Sequence, residues 1–159
     1  MVNKNILLIA VAIAAMVAGI WMFQKSQFDF VTLDGDKYRW QDLQGEWVVV
    51  NYFAEWCAPC LKEIPELNAF ANYAAQTENV SLFAISYDAL PPEELQQIKQ
   101  KYDIQFDLID SREPKMLNQQ PQNLPATFII SPEGKVLKQL LGEQTNESLQ
   151  SIISALKVL

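Results

Sequence analysis

Apolar residues run without a break from Ile6 to Phe23, eighteen positions bounded by Lys4 on one side and Gln24-Lys25 on the other. A run of that length just meets the requirement for a membrane-crossing helix. The alternative is a cleaved leader. Ala12-Ile13-Ala14 has small residues at the right offset for cleavage, but it lies in the middle of a run longer than a leader core. The expectation is therefore an uncleaved anchor over residues 1–25 and one domain over 26–159. One lysine flanks each end, so orientation rests on the α-amino group and the short N-terminal tail, which together favour an extracytoplasmic domain.

After the anchor the period changes. Phe28 to Leu33 alternates apolar and polar, Asp34-Gly35-Asp36 supplies turn chemistry, and Lys37 to Trp40 follows, which predicts a hairpin. Gln41 to Glu46 is a short connector. Trp47 to Phe53 is a β-branched and aromatic run behind Gly45, the pattern of a strand buried on both faces. Beyond Cys60, Ile64, Leu67, Ala71 and Ala74 recur at helical spacing, with Pro65 expected to bend that helix. Val80 to Tyr87 predicts a second buried strand. Pro91-Pro92-Glu93-Glu94 opens a helix to about Tyr102 with proline and acid in its first turn. Phe106 to Ile109 is a short strand candidate, and the polar stretch from Asp110 to Asn123 carries no clear pattern. Ala126–Ile130 and Lys135–Leu140 flank Ser131-Pro132-Glu133-Gly134, a second hairpin. Thr145 or Asn146 caps a last amphipathic helix through Ile152, Ile153, Leu156 and Leu159. Strand, helix, strand, helix, hairpin, helix makes an α/β sandwich on a mixed sheet.

Composition narrows the function. Half the residues are hydrophobic and only five are glycine, which suits a packed domain. Twelve basic residues face nineteen acidic ones, for a net charge of -7, and two of the lysines flank the anchor. Such a domain repels phosphate backbones, so nucleic acid is excluded as a partner. There is no histidine and there are only two cysteines, Cys57 and Cys60. Zinc wants four ligands, chiefly Cys and His, so a zinc site within the chain is excluded, and a copper-delivery role is weakened by the lack of imidazole. No metal and no other cofactor is expected.

The two cysteines stand in Trp56-Cys57-Ala58-Pro59-Cys60, where the buried strand gives way to a helix. Side chains three apart on a helix have Cβ atoms about 5–6 Å apart, within reach of a disulfide whose Cα atoms span about 4.4–6.8 Å. So short a loop adds little stability when closed, which argues for redox chemistry over an inert bridge. Cys57 is placed as the helix cap at an exposed position, where free N–H groups stabilise a thiolate. A cap accepts from the N–H groups two and three residues on; Pro59 has none, which leaves that of Cys60. Cys57 is then the attacking nucleophile and Cys60 the resolving thiol. Glu63, three residues after Cys60, shares their helix face, either as a proton acceptor or as an ordinary surface carboxylate.

The stretch Asn51 to Cys60 resembles the active-site segment of the thioredoxin superfamily, and its details resemble the membrane-tethered TlpA/ResA-like branch. The resemblance covers nearly all of the chain after the anchor. It implies a thioredoxin-like three-layer α/β/α sandwich with a mixed central sheet and an N-terminal hairpin. In thioredoxins proper, the position of Asn51 is a buried aspartate that helps move protons; its absence here puts the source of that function elsewhere. Cys60-Leu61-Lys62-Glu63-Ile64-Pro65 matches the branch, which implies that Glu63 is the replacement. Asn123-Leu124-Pro125-Ala126-Thr127-Phe128 resembles the superfamily's cis-proline loop. By that likeness Pro125 helps form the substrate groove and keeps metal from the thiols, Leu124 offers backbone hydrogen bonds to an extended segment, and Trp56, Ala58 and Pro59 complete the docking surface.

With no cation in Ala58-Pro59 to stabilise a Cys57 thiolate, a reductant is expected rather than an oxidant. The resemblance implies an extracytoplasmic protein disulfide reductase on a bacterial cytoplasmic membrane. Its electrons would come from a membrane thiol carrier, and its substrate would be a disulfide-containing protein such as an apocytochrome c pathway member. Two other readings compete. A thiol peroxidase on the same fold wants an arginine at the nucleophile, and the only arginines are Arg39 and Arg112. A non-catalytic anchored module would keep every activity without Cys57.

Overall fold

The computed structural model describes residues 4–25, 28–110 and 120–158 of the 159. Arg112 and most of the unpatterned polar stretch lie outside the described residues, as does Leu159. α1 (Lys4–Lys25) carries the apolar run as a helix. Among the described residues no helix is long and apolar enough to cross a membrane. The anchor is therefore an expectation carried by the sequence alone.

Five strands form one sheet in the order β5-β4-β3-β6-β7. β3 (Trp47–Phe53) lies at its centre, parallel to β4 (Val80–Ser86) and antiparallel to β6 (Ala126–Ile130). β5 (Asp107–Ile109) extends the parallel side and β7 (Val136–Leu141) the antiparallel side. Every residue of β3 is buried, as expected of a strand covered on both faces. Its odd positions, Trp47, Val49 and Phe53, pack with α3 (Ile64–Ala75), α5 (Asn146–Leu156) and Ile98 of α4 (Pro92–Lys101). Its even positions, Val48, Val50 and Tyr52, pack with Phe30, Leu43, Tyr38 and Trp40. Among the described residues, the third layer of the expected sandwich is thus made by the hairpin and a 3₁₀ turn over Trp40–Leu43.

Three local expectations differ in detail. The first hairpin is reduced to β1 (Phe30–Val31) and β2 (Lys37–Tyr38), because Val31 and Leu33 turn their backbone groups to Asp110 and Leu108 at the β5 edge. The helix after the cysteines is broken rather than bent. α2 (Ala58–Lys62) ends at Glu63 and α3 restarts at Ile64, since Pro65 has no N–H to continue the ladder and fits only a first turn. Glu63 is left at the joint, as the C-cap of one helix and the N-cap of the next. The exposed position expected for Cys57 is the third difference, taken up with the site. The second hairpin closes as expected, with the Gly134 N–H on the Ser131 carbonyl at 2.8 Å and Gly134 at φ +75°.

Thr145 caps α5 reciprocally: its Oγ1 accepts from the Ser148 N–H and its own N–H donates to Ser148 Oγ, both at 3.1 Å. Thr145→Ala removes the side-chain half of that box and is expected to cost about 1 kcal/mol, a fall in melting temperature of about 4 °C by calorimetry. Thr145→Ser should restore most of it.

Candidate functional site

The chain leaves β3 at Phe53, whose carbonyl is held by the Tyr87 N–H, and turns through Ala54 to Trp56. The Cys57 N–H donates to the Ala54 carbonyl at 3.1 Å, and the Cys57 carbonyl accepts from Leu61 to open α2. Cys57 is the cap of that helix, and its Sγ accepts the Cys60 N–H at 3.3 Å, the donor that Pro59 leaves available. A disulfide joins Cys57 to Cys60, with Cα atoms 5.3 Å apart. In this oxidised state Cys60 is fully buried, while Cys57 keeps 6 % of its surface. Cys57 is therefore less open than a cap at an exposed position was expected to be, because it is bonded to the buried Cys60 and belongs to the apolar cluster on the helix-facing side of the sheet. It still has the better access of the two.

The rim is exposed. Trp56 shows 66 % of its surface, but it is held in place: its indole N–H donates to Asp88 Oδ2 at 2.8 Å and its ring meets Tyr87 edge-on at 6.3 Å. It walls an open groove of about 920 Å³ against Leu90 and Glu94. Ala58 and Pro59 are exposed beside it. The Leu124–Pro125 bond is cis, as the resemblance implied. Leu124 is half-buried and Pro125 buried, and the Pro125 carbonyl accepts the Gly142 N–H at 2.9 Å.

Three residues after Cys60, Glu63 belongs to a buried polar group. Asn51 alternates with Val49 and Phe53 on the helix-facing side of β3, and the register sets it opposite Thr127 of β6. Glu63, 1 % exposed, reaches down from the α2–α3 joint. Its Oε1 accepts from Asn51 Nδ2 at 2.8 Å and its Oε2 from the Gln144 N–H at 2.9 Å. The plain reading of Glu63 as a surface carboxylate is thus excluded. Burial pushes its proton affinity above the ordinary carboxylate range; the two donors pull the other way, and the Glu143 charge adds to the rise. Glu143 itself is paired with Lys62 at 2.7 Å, and Glu66 Oε2 accepts the Asn146 N–H at 3.0 Å. Residues 62, 63 and 66 therefore hold the loop at 143–146, which sits next to the cis-proline.

Sequence reasoning missed Thr127, Gln144 and Asp88. Thr127 offered the faint signal of a polar residue inside an apolar strand. Gln144 offered none, because it acts through its backbone.

A family model described as AhpC/TSA matches residues 24–139. The chain is 31% identical over 128 residues to the thiol-disulfide oxidoreductase ResA of Bacillus cereus (strain ZK / E33L), covering 79% of this chain and 72% of that protein. It is 25% identical over 126 residues to ResA of Bacillus subtilis (strain 168), covering 78% and 69%. Among solved structures, StoA from Bacillus subtilis superposes with a TM-score of 0.66 at 21% identity, over 78% of this chain and 93% of that one. The pneumococcal lipoprotein thioredoxin Etrx1 gives a TM-score of 0.67 at 19% identity, over 80% and 98%. These structural likenesses speak for the thioredoxin-like fold.

Proposed function

From the premise that this chain belongs to the AhpC/TSA family, and is a thiol-disulfide oxidoreductase of the ResA type, we propose that it is a membrane-anchored reductase of protein disulfides working outside the cytoplasm. The observation that carries the chemistry is the Cys57–Cys60 disulfide, with Cys57 as the helix cap and the buried carboxyl of Glu63 three residues after Cys60. Reduced Cys57 attacks a substrate disulfide, forming a mixed disulfide and releasing one substrate thiolate. Cys60 gives its proton to Glu63 and attacks Cys57; the Cys57–Cys60 bond forms, and the second substrate sulfur leaves with the bonding pair. The substrate is reduced by two electrons, and the protein ends in the oxidised state seen here.

The reducing direction is supported by the charges near the sulfurs. Lys62 is engaged by Glu143 and Lys101 by Glu55, so neither of these two lysines is left as a free cation to serve a Cys57 thiolate. A thiolate so unaided leaves the reduced form unstabilised, which makes the couple a reductant. Its potential should lie nearer the roughly -270 mV of thioredoxin than the about -120 mV of strong oxidants, as equilibration with a glutathione buffer would measure. A value near the upper figure would reverse the proposed direction.

The apolar run Ile6–Phe23 supports the tether, and a tethered reductase needs electrons from a membrane thiol carrier. An apocytochrome c pathway protein is the proposed acceptor. Mass measurement of the isolated protein tests the anchor: a mature start after Ala14 or Ala18 overturns it. The partner is tested with Cys60→Ala, which can form the mixed disulfide but cannot resolve it. Captured protein should be released by thiol reagents and be absent from Cys57→Ala. The peroxidase reading has no arginine to stand on among the described residues, since Arg39 is bound to Asp42 at 2.6 Å in the 3₁₀ turn.

A further inference from the structure

Asn51 is 1 % exposed and makes an uneven set of hydrogen bonds. Its Nδ2 donates twice, to Glu63 Oε1 at 2.8 Å and to Thr127 Oγ1 at 3.1 Å. Its Oδ1 is buried and has no hydrogen-bond partner among the described residues. Buried amide oxygens are nearly always paired, and leaving one unpaired costs its desolvation. That cost falls at the one residue that joins the buried carboxyl to the sheet.

We propose that Asn51 is a two-way positioning residue for the proton step: it donates to Glu63 while that group is a carboxylate, and turns its amide over to accept from Glu63 once the proton of Cys60 has arrived. The inference rests on Glu63 being that acceptor. When the Cys60 S–H bond breaks and a Glu63 O–H bond forms, Oε1 changes from an acceptor into a donor and faces an N–H that can no longer serve it. A half-turn about the Asn51 side-chain amide puts Oδ1 where Nδ2 was. The Glu63 O–H then donates to Oδ1, and the Thr127 hydroxyl, which can give as well as take, also donates to it. Two hydrogen bonds exist before the turn and two after. Because Oδ1 starts without a partner among the described residues, none is broken on its side; the unpaired buried position is filled by oxygen in one state and nitrogen in the other. An aspartate at 51, in direct reach of the buried Glu63 carboxylate, could not work in this way, since like charges would couple the two titrations.

The charged and titratable groups around Glu63 are Lys62 and Glu143, which are paired, Glu66 on α3 and the two cysteines. None of them contacts Asn51 in the hydrogen-bond pattern, so the amide's response isolates Glu63.

The test uses the full chain in detergent, oxidised so that neither thiol titrates, and follows the Glu63 side-chain carbon and the Asn51 side-chain amide by NMR across pH. The Asn51 amide signals should move with the Glu63 midpoint, and in Glu63→Gln, a mimic of the neutral acid, they should sit at their low-pH position throughout. Stationary Asn51 signals while Glu63 titrates overturn the proposal and leave the role of Glu63 intact. A pH–rate profile unchanged in Glu63→Gln overturns both. As a second readout, Thr127→Ser, which keeps the hydroxyl, should preserve the pH–rate midpoint, whereas Thr127→Val should shift it. Asn51→Leu, which loses a charge-assisted bond to the carboxylate and a weaker neutral one to the acid, should move it upward by about one pH unit; equal midpoints in all three overturn the proposal.

Discussion

Cys57→Ser is expected to abolish reduction of insulin or peptide disulfides, a loss of roughly a thousandfold or more, while leaving the fold in place. Serine is a better helix cap than cysteine, so the Cys60 N–H keeps an acceptor and α2 keeps its start. The disulfide lost with the substitution closes a loop of only a few residues, and its removal changes the denatured chain little. What disappears is the nucleophile: a hydroxyl is not ionised near neutral pH, and an alkoxide is a poor leaving group where a thiolate is a good one. Activity is read by turbidity of insulin chains, and folding by far-ultraviolet circular dichroism and melting temperature. A Cys57→Ser protein that still reduces disulfides at a tenth of the normal rate or better would show that Cys60, fully buried in the oxidised state, is the attacking sulfur. It would also revive the reading of the chain as a binding module if every activity survived.

The same pair of residues marks how far the sequence could be followed. Patterns that depend on a near neighbour were legible: the apolar run of β3, the cap at Cys57 with Cys60 as its single good donor, the turn at Gly134, the cap at Thr145. Each is settled within about four residues by alternation, missing N–H groups or cap chemistry. Where distant backbone competes, legibility fails. The first hairpin pairs over two residues per strand because β5, some seventy-five residues on, takes its remaining backbone groups. The surroundings of Glu63 failed for the same reason. Its spacing from the cysteines was plain, but only the register of β3 against β6 brings Asn51 and Thr127 beneath it, and only the turn after β7 delivers the Gln144 N–H. The likeness to the thioredoxin superfamily implies a part for Glu63 in the reaction; the fold adds that its carboxyl is buried and held by two donors. Cys57 was expected to be exposed because disulfide exchange needs a reachable thiolate, yet in the oxidised state it is bonded to Cys60 within the apolar cluster and keeps only 6 % of its surface.

Glu63→Gln carries the second large effect, because its target is the resolving step. A carboxylate can take the Cys60 proton; a carboxamide cannot. A positioned base contributes about 10²–10⁴-fold to a proton transfer, so release of substrate from the mixed disulfide should slow by roughly a hundredfold in the variant. The pH dependence has a definite sign. The acceptor works only when ionised, so the wild-type rate rises with pH through the Glu63 midpoint, which burial sets above the ordinary carboxylate range. The variant lacks that limb and rises only where the thiols themselves ionise; below the Glu63 midpoint the two proteins converge. Stability should move the opposite way with pH. With its proton affinity raised on folding, Glu63 binds more protons folded than unfolded. Its contribution is therefore full below the unfolded midpoint and is lost as pH rises through the folded one. Above the folded midpoint the wild type holds a buried charge that the variant does not, so the wild type should lose stability on raising pH through that midpoint more steeply than Glu63→Gln, as denaturant midpoints at several pH values would show. The loop at 143–146 links the two effects, since the carboxylate that waits for the proton is also the anchor of the Gln144 N–H beside the cis-proline. Equal pH–rate profiles for the two proteins, or parallel stability curves, would remove Glu63 from the proton step and leave it as a structural tie between α2 and that loop.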